Sequence, residues 1–98
     1  MHSVIAIDRL HALESELRSA GLTALYLFGS QARGAGDAAS DVDLLFEAEG
    51  AGRLSLIDQA RLQQKLSQAL GTSVDLIERS ALRPAVRRMA ESDMLRIF

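Results

Sequence analysis

The sequence predicts an α+β fold: two layers, with a small mixed β-sheet and flanking helices. Three observations carry that reading. Apolar runs of strand length alternate with longer stretches of helical period. Gly or Pro stands where one pattern gives way to the next. The resulting order is helix, strand, strand, helix, strand, helix, with a possible closing strand.

The first helix is predicted over Ile7 to Ala20. Leu10, Leu13 and Leu17 recur at three and four residues, and Gly21 stands where a helix-ending glycine belongs. Leu22 to Phe28 is almost wholly apolar, short and aromatic-bearing, which suits a buried strand. Gly29 to Ser40 is glycine-rich and reads as a loop, with room for a helical turn over Ser30 to Arg33. Asp41 to Glu47 is the second strand, and Glu49 to Arg53 a turn.

Ser55 to Leu70 carries the plainest helical signal. Ser55 followed by Asp58 resembles a capping box, Leu62, Leu66 and Leu70 form a stripe, and Gly71 closes it. Ser73 to Ile77 is a third strand, with Val74 and Leu76 on one face and Asp75 on the other. Pro84 suits the first turn of a last helix running to about Glu91. Met94 to Phe98 fits a short edge strand.

Bulk properties narrow the classes of function. At 98 residues the chain is expected to form one domain, 1–98. Its 48% apolar content is that of a folded protein. A net charge of −2 argues against broad nonspecific nucleic-acid binding, which needs a basic face. With no Cys, disulfides and thiolate–zinc sites are excluded. There is no apolar leader and no run of about 18 apolar residues, so a cytoplasmic location without membrane attachment is expected.

The chemistry concentrates in Gly29-Ser30, ten residues, then Asp41-Val42-Asp43. On a strand Asp41 and Asp43 share a face. Two carboxylates so close are unfavourable alone, and a divalent cation removes the conflict. Mg²⁺ favours one or two carboxylates plus substrate phosphate oxygens. A Gly-Ser turn is its natural companion, because free backbone N–H groups cradle phosphates. Ser30 would bond a β- or γ-phosphate oxygen, and Gly29 permits close backbone approach. The plainer alternative is a glycine hairpin beside an exposed acidic strand end.

Asp75 is the candidate third carboxylate, since a charge within Val74-Asp75-Leu76-Ile77 is costly unless paired or metal-bound. If its strand lies beside that of Asp41 and Asp43, the three converge. Three acids with phosphate oxygens hold two Mg²⁺ ions in the geometry of in-line nucleotidyl displacement. Otherwise Asp75 ends an exposed edge. Arg33 either reaches the leaving pyrophosphate or is a solvated surface arginine. Ser40 more simply orders the loop. Arg83, Arg87 and Arg88 form a basic cluster that reads first as a solvated face, with a phosphate- or partner-facing role as the alternative. His2 and His11 lack metal-ligand spacing.

These residues match a family. Phe28-Gly29-Ser30-Gln31-Ala32-Arg33-Gly34, then Ser40-Asp41-Val42-Asp43-Leu44-Leu45, resembles the signature of the minimal nucleotidyltransferases (MNT). These belong to the DNA polymerase β-like nucleotidyltransferase superfamily. Val74-Asp75-Leu76-Ile77 is similar to that family's third-carboxylate strand. Leu82-Arg83-Pro84 and Met94 to Phe98 resemble its C-terminal helix and strand, on more generic motifs.

The resemblance implies transfer of a nucleoside monophosphate from a triphosphate with Mg²⁺, two ions in all. Gly29 and Ser30 would hold the triphosphate, with Arg33 nearby. Asp41 and Asp43 would bind both metals and Asp75 the catalytic one. It also implies a partner, because proteins of this size are often antitoxins of HEPN-domain toxins, which are RNases, and some adenylylate a tyrosine of that toxin. The expected activity is therefore AMP transfer from ATP to a hydroxyl of a HEPN toxin. A non-catalytic antitoxin that acts by binding is the first alternative, and nucleotidylation of a small molecule such as an antibiotic the second. Direct nucleic-acid binding and membrane association are not expected, and homo-oligomerisation stays open.

Overall fold

Leu22–Phe28 forms strand β1 and pairs antiparallel with β2, Val42–Ala48. The computed structural model describes residues 3–28, 42–49 and 54–98. β2 pairs in parallel with β3, Val74–Glu78, and β1 pairs antiparallel with β4, Leu95–Arg96. The order is β3-β2-β1-β4, a mixed four-stranded sheet. Flanking it are α1 (Ser3–Ala12), α2 (Glu14–Ser19), α3 (Leu56–Leu70) and α4 (Pro84–Asp93).

Side-chain alternation sorts the strands into two faces. Leu25, Leu27, Val42, Leu44, Phe46, Val74 and Leu76 are buried with Ala6, Leu10, Leu17, Leu66 and Leu70 of the first three helices. This is the main core. At about 1.5–3 kcal/mol per large apolar side chain removed from water, it dominates the stability. On the opposite face Ala24, Tyr26 and Leu45 form a smaller cluster, covered by Leu82 and Met94 at the two ends of α4. The expected two layers thus describe the main core, and α4 adds partial cover behind.

Local signals operate as the sequence implies. Ser55 caps α3, its hydroxyl accepting from Asp58 N at 3.1 Å. Gly71 ends the helix in the left-handed conformation, φ 71°, where a side chain would be strained. The first helix differs from expectation. It begins at Ser3, before Ile7, and breaks at Leu13, whose N–H bonds the Leu10 carbonyl three residues back. No Gly or Pro marks that point; the tightened turn re-aims the axis while Leu10 and Leu17 both stay buried. Beyond β4 the backbone continues along β1, with Ile97 N donating to Leu25 O at 2.8 Å. A ring N–H of His11 donates to the Ile97 carbonyl at 2.8 Å, which fixes Nε2 as the protonated nitrogen.

β3 is an edge strand, yet its outer backbone groups are occupied. Ser67 Oγ accepts from Val74 N at 3.1 Å, and Gln63 Oε1 from Leu76 N at 3.0 Å. Gln59 Nε2 donates to Leu76 O at 2.8 Å. Three residues four apart on α3 therefore close an edge that would otherwise pair with another chain.

Candidate active site

Parallel pairing of β2 with β3 places Asp43 directly beside Asp75. Adjacent strands lie about 4.8 Å apart, so two side chains in register on one face are neighbours. The face follows from parity. Val42 and Leu44 lie in the main core, as do Val74 and Leu76, so Asp43 and Asp75 point the other way. Asp43 is half-buried and Asp75 exposed. Across β2 from Asp75, Asp43 is paired with Phe28, the last residue of β1. The residue that follows in the chain is Gly29. The ladder is anchored at this end by Val42 N, which donates to Ser73 O at 2.9 Å.

The structure thus brings together Asp43 and Asp75. Asp41, Gly29, Ser30 and Arg33 lie outside the described residues, as does the proposed turn over Ser30 to Arg33. Among the described residues no group of three or more potential ligands gathers to hold a metal. The donor set of the Asp43–Asp75 pair nonetheless suits Mg²⁺: two hard carboxylates on one face, in register, one of them open to solvent.

Asp75 is held from behind. The hydrogen bonds of Ser67 and Gln63 engage Val74 N and Leu76 N, the residues on either side of it. Its α-carbon is therefore fixed between β2 and α3. Asp75 is exposed, not costly buried charge, so its sequence signal lay in the apolar neighbours that face the core.

Sequence reasoning missed a second charged group on the same face. Arg79 donates from Nη1 to Glu47 Oε1 at 3.0 Å and from Nη2 to Glu91 Oε1 at 2.6 Å. Its guanidinium lies 5.2 Å from the Tyr26 ring centroid, and Tyr26 OH donates to Glu47 Oε2 at 3.3 Å. The Glu91 hydrogen bond foremost holds the Arg79 pKa above its ordinary value; burial opposes it, and Glu47 adds to it. This network ties β2 to α4. The available signal was Glu47, which shares the parity of Asp43 and so faces the same way. Of the expected basic cluster, Arg83 and Arg88 are exposed, in line with a solvated face; the Arg87 side chain lies outside the described part.

Comparison with known proteins agrees with this architecture. The model of the nucleotidyltransferase domain family matches residues 10–97. A proposed protein adenylyltransferase of Methanocaldococcus jannaschii is 36% identical over 67 residues, covering 68% of this chain and 70% of that protein. A solved minimal nucleotidyltransferase superposes with a TM-score of 0.82 at 34% identity, covering 97% of this chain and 95% of the other. A toxin–antitoxin complex with AMP-PNP gives 0.78 at 26% identity, covering 94% and 72%. An MNT antitoxin bound to a tri-AMPylated HEPN toxin of Shewanella oneidensis gives 0.72 at 23% identity, covering 98% and 71%, a likeness of fold.

A mixed sheet with acids on neighbouring strands and these likenesses define a nucleotidyltransferase. The chain belongs to the nucleotidyltransferase domain family, and its likeness within that family is to the minimal members. No helix among the described residues is long and apolar enough to cross a membrane.

Proposed function

We propose that the protein transfers AMP from ATP, with Mg²⁺, to a hydroxyl of a partner protein, a tyrosine of a HEPN-domain toxin, and so acts as its antitoxin. The observation that carries this reading is the register of Asp43 with Asp75 on one sheet face. The adenylyl group and the partner are supported by the motif resemblance, by the relative proposed to be a protein adenylyltransferase, and by the neighbouring complex with AMP-PNP.

In this reading Asp41, Asp43 and Asp75 hold the metal, and Gly29, Ser30 and Arg33 hold the triphosphate. When bound, Mg²⁺ would supply charge neutralisation at the phosphates and a lowered pKa for the attacking hydroxyl. The tyrosine oxygen forms a bond to the α-phosphorus as the bond to pyrophosphate breaks. Pyrophosphate leaves with the electron pair, and the hydroxyl proton passes to Asp75 or to solvent. The register-paired carboxylates orient acceptor and nucleotide, and their placement before chemistry is the chief catalytic contribution.

The test is label transfer from α-labelled ATP to the co-expressed partner. Transfer by wild type and its loss in Asp43→Asn and Asp75→Asn is the expected result. Undiminished labelling by both variants would mean that the site lies elsewhere.

A further inference from the structure

Past Asp75 the outer edge of the sheet opens into a groove of about 570 Å³, between the C-terminal half of α3 and the start of β3. Its walls include Gln64, Ser67, Gln68, Thr72, Ser73 and Asp75. The groove is shallow and open to solvent, a shape that suits a segment of chain lying along the surface better than an enclosed small molecule. Amides and hydroxyls dominate the lining, and among the described residues no Lys or Arg contributes to it. Such a surface offers neutral donors and acceptors, which complement peptide groups. It offers little to a phosphate backbone, which is drawn to cations. Ser67 already bonds β3, whereas the side chains of Gln64 and Gln68 are exposed and make no hydrogen bond among the described residues.

Strand order gives the groove its direction. In-line displacement places the attacking oxygen and the leaving group on opposite sides of the phosphorus. The triphosphate residues of the proposed function, Gly29 and Ser30, follow β1 in the chain. β1 lies on one side of β2, and β3 lies on the other. A pyrophosphate leaving toward the β1 side requires a hydroxyl arriving from the β3 side. The groove opens there, with Asp75 in its wall.

We infer that this groove is the acceptor subsite, taking a short extended segment of the partner protein through its peptide groups and presenting its hydroxyl side chain at Asp75. The inference rests on the proposed function and adds to it where the acceptor binds and what is recognised. Gln64 and Gln68 contact the segment's backbone and take no part in nucleotide binding.

The experiment measures transfer from α-labelled ATP to the purified HEPN-domain partner as its concentration is varied. In Gln64→Ala/Gln68→Ala, KM for the partner rises by about tenfold or more while kcat stays within about threefold. The stabilisation by Mg²⁺·ATP in a melting assay is unchanged, which shows an intact fold and nucleotide site. Gln68→Trp, which fills the groove from its exposed side, gives the same split. An unchanged KM in both variants, with wild type active, overturns the groove alone. Wild type that labels RNA in place of protein, or labels no protein, overturns the proposed function and the inference with it.

Discussion

β2 carries an acid at each end of one face, Asp43 and Glu47, and the two meet opposite company. Glu47 accepts from Arg79, which also reaches Glu91 on α4 and lies against Tyr26. Asp43 stands in register with a second carboxylate, Asp75. Four residues at about 3.3 Å each separate them, so both share one strand and one face. A carboxylate facing a guanidinium completes an ion pair that holds elements together. Two carboxylates side by side repel, and in the proposed function a divalent cation would bridge them. On this comparison the Glu47 end is structural, and the proposed function makes the Asp43 end chemical.

The largest expected effect lies at the chemical end. Asp43→Asn lowers label transfer by about a thousandfold, while the melting temperature of the ligand-free protein stays within a few degrees of wild type. A ligand-free variant that melts far below wild type would make Asp43 structural and erase the contrast. Next comes ligand linkage. Mg²⁺·ATP at 100 times Kd stabilises wild type by about 2.7 kcal/mol, a rise on the order of 10 °C for a chain of this size. Asp43→Asn removes that rise, and a melting series with and without Mg²⁺·ATP reads both.

At the structural end, Arg79→Ala is expected to cost about 1–2 kcal/mol, because its partners are partly solvated and surface pairs are weak. Its guanidinium pKa is raised, so with its carboxylate partners ionised the contribution is unchanged across neutral pH and is lost in strong base. Denaturant unfolding between pH 6 and 9 therefore shows a constant difference from wild type, and transfer stays within about threefold. A large loss of transfer would join the two ends into one functional unit. The smallest effect is the remote control. Ser55→Ala removes the α3 cap for about 1 kcal/mol, with the response to Mg²⁺·ATP retained.

Much of the fold was legible in the chain. β1 spans its predicted residues, and β2 runs one residue past its predicted end, to Ala48. The cap at Ser55 and the stop at Gly71 lie where expected, and α4 begins at Pro84. The break at Leu13 was not legible, because Leu10, Leu13 and Leu17 satisfy the spacing of a straight helix and a bent one alike. At the candidate site, the faces of Asp43 and Asp75 were legible from alternation. Arg79 was not, since its partners come from β1, β2 and α4.

The sequence by itself determined which stretches form strands and which form helices, where α3 starts and stops, and that Asp43 and Asp75 each point away from an apolar face. Those are decisions within a few residues, set by side-chain period, capping and glycine conformation. Only the tertiary structure decided that β3 lies parallel beside β2, in the register that sets Asp43 against Asp75. It also decided that Gln59, Gln63 and Ser67 close the sheet edge behind them. The physical reason is that pairing and register are chosen by burial of the whole core. A shift of one residue in β3 would turn Val74 and Leu76 out to solvent and Asp75 into the core, so the same burial that holds the sheet together fixes the site.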